Sequence, residues 1–354
     1  MNNCVARMSM NGSCLMDRQS RVTQSLDVWR CAVRFGRGVW RGLAATALVA
    51  MTIVPTHAAD WIESSYNPAV GSRWTIEMVD RAAETKPDGG ALNTIFNGRA
   101  EMTIDEKTTE GFRISYVARQ ISVEGNSPNV PVLRAYCKML ENILIRATLD
   151  ATGKPVRIDN FDAVKTEMHK EMERLQRSGE NSPRQLLALS MIMSDLVSMD
   201  PERAAPSFLT ELVTLAKSQN TGMKVGEVRR STDPADNPLG TTLRSETAFS
   251  LSEIDVEKRT ATYHEVRAFD EGSVKDFIYA HSRAVLAKSE DKVTPDRIER
   301  LVKATSMSLD GKGLFIVENG MTRDVEEMVM TTASADGKVS SKVKSKTIKI
   351  TLAP

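Results

Sequence analysis

Apolar and polar residues alternate in segments toward both ends of this chain. Trp74, Ile76 and Met78 fall on one face of an extended segment, and residues 243–251 alternate in the same way. A period of two residues is typical of a strand with one buried face. Polar turns such as 106–111 separate these segments, which predicts antiparallel hairpins rather than strand–helix–strand units. We therefore expect an α+β fold with two antiparallel, strand-rich meander halves.

The middle of the chain follows a helical period instead. Val164, Met168, Met172 and Leu175 lie at spacings of four, four and three residues, which predicts an amphipathic helix over 162–178. Ser-Pro at 182–183 and Asp-Pro at 200–201 are typical helix starts, because proline fits the first turn of a helix. A further helix is predicted near 208–217.

The second strand-rich half resembles the first. Leu149-Asp150 leads to Gly-Lys at 153–154 and a strand at 155–158, whereas Leu309-Asp310 leads to Gly-Lys at 311–312 and a strand at 314–317. This similarity predicts an internal duplication, and the alternative is two ordinary hairpins that share common turn residues.

The predicted sections are a leader at 1–59, an N-terminal half at 60–161, a central Met-rich helical insertion at 162–222 and a C-terminal half at 223–354.

The leader has the pattern of a secretory signal. Seven arginines and only two acidic residues accompany the apolar run LAATALVAMTIV at 43–54, and small residues follow it. This pattern predicts cleavage near Ala58 or Ala59 and a periplasmic or secreted protein. The alternative is a retained anchor, but a membrane-spanning helix needs about 20 apolar residues, so we expect no stable transmembrane anchor.

Charge and cysteine content limit the partners. Removing residues 1–58 takes away seven arginines and two aspartates, which leaves 40 basic and 44 acidic residues and a net charge of about −4. Nucleic-acid binding needs a concentrated positive surface, so we expect no nucleic-acid partner. Cys137 is the one cysteine after the leader and is predicted to be a buried thiol on a helix.

Methionines in the helical section are the candidate ligand contacts. Met168, Met172, Met191 and Met193 lie between the two strand-rich halves. Methionine is flexible and polarisable, so these side chains suit a pocket for an apolar, lipid-like small molecule. The alternative is that they only fill the core between helices and sheet.

Evidence for catalysis is sparse in this sequence. Neither a Gly-x-Ser-x-Gly elbow nor a phosphate-binding glycine loop occurs, and no Cys-x-x-Cys or His-Glu-x-x-His spacing predicts a metal site. We therefore assign no catalytic residue, no metal and no cofactor. A hydrolase stays an alternative if His169, His264 and His281 converge with carboxylates.

Lysines recur along the predicted last strand, at 338, 342, 344, 346 and 349. One interpretation is an outer strand protected from stray pairing by its charges. The other is a docking strip for an acidic partner or for lipid head groups.

Together these features predict an exported, soluble envelope protein that binds an apolar ligand or an envelope partner without catalysis. A structural or assembly protein of the envelope is the main alternative. The arrangement is analogous to envelope carriers in which a half-barrel surrounds helices, which is a comparison of folds only.

Overall fold

The computed structural model describes residues 65–236, 242–286, 294–335 and 337–353. The predicted leader and its cleavage site near Ala58 or Ala59 lie outside these residues. In the part that is described, no helix is long and apolar enough to cross a bilayer.

The described strands form one antiparallel sheet, which confirms the α+β class. Its order is β5-β4-β3-β2-β1-β11-β10-β9-β8-β7-β6. The strands are β1 (Arg73–Thr85), β2 (Ala91–Lys107), β3 (Gly111–Glu124), β4 (Leu144–Asp150), β5 (Pro155–Ile158), β6 (Val228–Asp236), β7 (Thr242–Asp255), β8 (Thr260–Phe269), β9 (Thr305–Glu318), β10 (Met321–Ala335) and β11 (Lys338–Leu352).

Helices lie between consecutive strands of the chain at three places. They are α1 (Val130–Leu140), α2 (Phe161–Ser178), α3 (Pro183–Val197), α4 (Pro201–Phe208), α5 (Thr210–Leu215), a 3-10 helix (Ala216–Ser218), α6 (Glu271–Leu286) and α7 (Pro295–Ala304). The starts predicted at Pro183 and Pro201 are confirmed, and the caps show why. Ser182 forms a capping box with Gln185, and the Asp200 carboxylate accepts from the Arg203 amide at 2.7 Å.

Both ends of the described chain meet at the centre of the sheet. β1 pairs with β11 from Trp74–Leu352 to Thr85–Ser341. The interpretation of the lysine-rich last strand as an outer strand is therefore wrong. Because β11 has β1 on one side and β10 on the other, its lysines protect no edge.

One face of the sheet, here called the inner face, carries the main core. Ile76, Ile348 and Phe315 lie on it, each no more than 1% exposed, and they pack in one cluster with side chains of α1 to α5. Residues opposite one another on neighbouring strands share a face, so the register identifies the inner residues of every strand. A second cluster joins Phe269 to α6 and α7.

The two segments whose similarity predicts a duplication have different structures. Gly153 makes a turn with φ +77° between β4 and β5. Gly311 instead lies inside the uninterrupted strand β9, opposite Val329. Gly311 and Lys312 therefore form part of a strand and not the turn that the alternative interpretation assumes there. An internal duplication stays a prediction, as do the Met-rich insertion as a separate section and the boundaries at 60–161, 162–222 and 223–354.

Gly313 allows close packing at the centre of the inner face. A Cβ atom there would lie 2.9 Å from Cε2 of Phe315 and 3.1 Å from Cβ of Glu265. Phe315 is fully buried, so its ring has little room to move.

Gly313→Ala should therefore lower the free energy of unfolding by about 1–3 kcal/mol through overpacking. Urea denaturation followed by circular dichroism measures the change. Gly272→Ala is the matched control, because its Cβ would come no closer than 3.4 Å to Asp270. Equal stability of the two variants would contradict this account.

Candidate functional site

A partly enclosed cavity of about 1100 Å³ lies between the inner face and the helices. Its walls come from β1 to β4, β8, β10 and β11 on the sheet side and from α1, α2, α4, α5 and the 3-10 helix on the other. Small-molecule pockets usually measure about 300–1,000 Å³, so this cavity has room for a large ligand.

Hydrogen bonds fix the helical wall to the sheet. The Ser218 hydroxyl donates to Thr322 Oγ1 at 2.8 Å, and the Thr322 hydroxyl donates to the Leu215 carbonyl at 2.9 Å. Ser218 and Thr322 are completely buried. This connection holds the end of α5 over β10 and places Glu211 and Lys217 in the cavity wall.

Burial of the sheet side decreases along β1. Ile76 is 1% exposed, whereas Met78, Asp80, Ala82 and Glu84 are half-buried. The closed part has an apolar lining, which includes Ile76, Ala100, Tyr116, Ala118, Val123, Tyr136, Cys137, Ile145 and Val164. The cavity therefore has an apolar interior and a more exposed end beside the ends of β1 and β11.

Three lysines of β11 line the cavity on the same face as these apolar residues. Lys346, Lys344 and Lys342 lie opposite Asp80, Ala82 and Glu84 of β1, respectively. All three are half-buried. The Lys342 ammonium lies 3.9 Å from the Glu84 carboxylate. A positive strip thus follows the wall toward its exposed end.

Charged residues also form a row across the inner face. Asp80, Lys346 and Glu327 are successive cross-strand partners, and Gly313 and Glu265 continue the same row. Opposite charges on neighbouring strands stabilise each other. Gly313 leaves the space that larger side chains from adjoining positions occupy.

Lys217 and Arg267 connect the carboxylates of this row. Lys217 Nζ donates to Glu327 Oε1 at 2.5 Å and lies 3.3 Å from Glu265 Oε2. Arg267 donates from Nη2 to Glu327 at 2.9 Å and also contacts Glu265 through Nε. We call these four residues the ion cluster. Glu265 and Arg267 are each 5% exposed, so the cluster is a buried network.

The residues of the ion cluster stabilise one another in their charged forms. Burial by itself raises the pKa of Glu327, but Lys217, Arg267 and Lys346 outweigh burial and hold it at about 2. Burial opposes the charge of Arg267, yet Glu265 and Glu327 raise its pKa above the ordinary value. Both groups stay charged through the ordinary pH range.

Two other carboxyl groups of the cavity wall are incompletely satisfied. Asp80 Oδ1 and Glu211 Oε1 are buried and have no hydrogen-bond partner in the described structure. Glu211 is only 3% exposed. Burial is the main reason that the pKa values of Asp80 and Glu211 are raised, although Lys346 lowers both.

The four methionines that are predicted to contact a ligand lie outside the cavity lining. Met168, Met172 and Met193 are buried in the main core, and Met191 is half-buried on α3. Among the described residues that line the cavity, none of the four occurs. Their role in ligand binding stays a prediction.

Cys137 lies on α1 and lines the cavity, and its predicted burial is confirmed. Burial raises the pKa of its thiol to about 12. The group therefore stays protonated and unreactive at neutral pH.

The histidines are distributed over different surfaces. His169 is exposed on α2, where Nδ1 lies 2.7 Å from the Lys165 carbonyl oxygen, and His264 is exposed on the outer face of β8. The side chain of His281 lies outside the described ones. No three His, Cys, Asp or Glu side chains of the described ranges form a group suited to a metal ion.

Sequence reasoning missed the charged wall, although a signal existed. Asp80 continues the even-numbered apolar series of β1, and Lys346 continues that of Ile348 and Ile350 on β11. Glu327 similarly lies between Val325 and Val329 on β10. Charged residues in phase with the core face of a strand indicate a buried polar site.

Comparisons with known proteins give only remote similarity. No protein-family model matches the chain, and no curated protein matches it. One solved structure concerns lipid–protein interactions in lipovitellin. The alignment covers 81% of this chain and 26% of the lipovitellin chain, at 8% identity and a TM-score of 0.38. This chain thus spans about a quarter of that protein's length.

Two further solved structures align with lower scores. A protein with a YmcC-like fold from Bacteroides fragilis covers 79% of this chain and 95% of its own, at 9% identity and a TM-score of 0.18. An outer membrane channel from Pseudomonas putida covers 82% and 98%, at 7% identity and a TM-score of 0.18. We base neither fold nor function on these similarities.

The ion cluster predicts a specific acid sensitivity. Glu327 has a pKa of about 2 in the folded protein against an ordinary value of 4.5. Its contribution to stability is therefore complete above pH 4.5 and is lost as the pH falls through about 2. Glu327→Gln should lower the free energy of unfolding at neutral pH by about 3 kcal/mol and flatten its decline toward acid.

Urea titrations at a series of pH values measure both effects. Glu326→Gln is the matched control, because Glu326 is exposed on the opposite face of the same strand. If the control and Glu327→Gln behave alike, the ion cluster does not stabilise the fold.

Proposed function

We propose that this protein binds an amphiphilic, anionic lipid-like ligand. The observation that carries the proposal is the large cavity whose lining changes from apolar at the buried end of β1 to lysine-rich along β11. The apolar chain occupies the space between β1 to β4 and α1, and the anionic group lies at Lys342 and Lys344.

Physical chemistry favours this orientation. Burial of apolar surface is favourable by about 25 cal/mol for each Å² removed from water. Contact between the ligand's chain and the apolar lining therefore drives binding. An anionic group left near half-buried lysines keeps part of its hydration and gains charge-assisted hydrogen bonds. The opposite orientation would bring an anion against Asp80 and Glu211, whose pKa values burial already raises.

The methionines fit the proposal in a supporting role. Val164 lines the cavity, and Met168 follows it one turn later on α2 in the same core cluster. We propose that Met168, Met172, Met191 and Met193 form an adaptable layer behind the wall, which lets the cavity accept chains of different shape.

The predicted leader suggests a carrier role for such binding. A signal-bearing envelope protein that shields an apolar chain allows the chain to cross an aqueous compartment. This carrier role is part of the proposal, and it requires no catalytic group, metal or cofactor.

The lysine strip is tested by removing its charge. The double variant Lys342→Gln/Lys344→Gln should weaken binding of a fluorescent fatty acid by about tenfold, or ~1.4 kcal/mol. Binding of the matching neutral alcohol should change little. Fluorescence titration gives both dissociation constants.

Lys338→Gln/Lys349→Gln is the control, because it removes the same charge from β11 at positions outside the cavity lining. Equal weakening by both double variants would mean that only the overall charge matters.

The apolar interior is tested by filling it. Ala118 is half-buried and lines the cavity, so Ala118→Trp should reduce the affinity for a long-chain fatty acid by at least about tenfold. Ala248→Trp places the same side chain on the outer face of β7 and should leave the affinity unchanged. Native mass spectrometry with lipid extraction of the exported protein gives an independent measurement. Persistent absence of bound lipid there, together with undiminished binding by Ala118→Trp, would refute the proposal.

A further inference from the structure

Two buried carboxyl oxygens in the cavity wall lack partners. They are Oε1 of Glu211 on α5 and Oδ1 of Asp80 on β1. A buried polar atom without a hydrogen bond destabilises the folded protein. Most buried polar groups in proteins are hydrogen-bonded, so an unpaired one that faces a large cavity is suited to contact a polar group of a ligand.

The position of Glu211 within the cavity is distinctive. Its carboxyl group interacts with the hydroxyl of Tyr116 on β3, and Thr210 Oγ1 lies 3.4 Å from its other oxygen, Oε2. Tyr116 lies between Ile114 and Ala118 on the inner face, in the apolar part of the lining. Glu211 thus introduces hydrogen-bonding capacity where the proposed ligand's chain would lie.

The charge around Glu211 favours a neutral ligand group over a cation. Lys346 acts electrostatically on Glu211, on Asp80 and on Glu327. An ammonium group at this depth would therefore meet a positive charge as well as the carboxyl groups. Burial is the main cause that raises the pKa of Glu211, which also reduces its value as a counter-ion.

We propose that the ligand's buried chain carries a hydroxyl group that hydrogen-bonds with Glu211. This inference rests on the proposed function and names a narrower ligand class, the hydroxylated acyl amphiphiles. A hydroxyl suits the site because it donates to a carboxylate and accepts from a carboxylic acid, so either protonation state of Glu211 is satisfied.

A competition experiment tests the inference on the intact protein. A bound fluorescent fatty acid is displaced by hexadecanoate and by hydroxyhexadecanoates that differ only in the position of the hydroxyl. At least one hydroxylated acid should bind about tenfold more tightly than hexadecanoate, as expected for a hydrogen bond to a buried carboxyl group. Glu211→Leu should remove this preference, so that no hydroxylated acid binds more tightly than hexadecanoate.

Glu202→Leu is the matched control, because Glu202 is exposed on α4 and does not belong to the cavity lining. It should retain the preference. The comparison on the unaltered protein needs no variant, so it decides the matter even if Glu211→Leu does not fold.

The outcomes separate the two proposals. Binding of all acids with equal affinity, or a preference that survives in Glu211→Leu, would overturn the hydroxyl inference and leave the lipid-binding proposal intact. Failure of every acid and of the fluorescent probe to bind would overturn both.

Discussion

The pairing of β1 with β11 is the interaction on which the remaining structure depends. It joins strands 12 pairs long from opposite ends of the described chain and makes one sheet of two meanders. The pairing also places Lys342, Lys344 and Lys346 on the face that the helices cover, opposite Ala82 and its neighbours. Without it, the lysines would lie on an exposed edge and the cavity would lack its charged wall.

Electrostatics and packing are closely linked at the centre of the inner face. The ion cluster requires Gly313, because a larger residue would occupy the space beside Glu265 and Phe315. Removing one member of a buried ion pair destabilises a protein strongly, since the remaining charge stays in a medium of low polarity. The network therefore stabilises one arrangement of β8, β10 and the 3-10 helix, and that arrangement keeps the wall of the cavity in place.

Much of the fold could be predicted from local pattern, and much of the site could not. The alternation at Trp74, Ile76 and Met78 and the proline starts at 183 and 201 report local preferences, which the structure follows. The order of strands in a sheet depends on partners far away in sequence, so the position of the lysine-rich strand could not be predicted from its own pattern. Helical spacing likewise identifies a buried face without saying what lies against it, so it could not predict which residues line the cavity.

The sequence by itself determined most of the secondary structure and which apolar side chains are buried, because both follow from patterns among residues close together in the chain. Asp80, Lys346 and Glu327 were already visible as charged residues in phase with apolar ones. Only the tertiary structure decided that they are adjacent, that Lys217 and Arg267 connect the carboxylates, and that Glu211 faces the same space. Those contacts join residues up to 266 positions apart, and the energy of a charge depends on all of its neighbours at once.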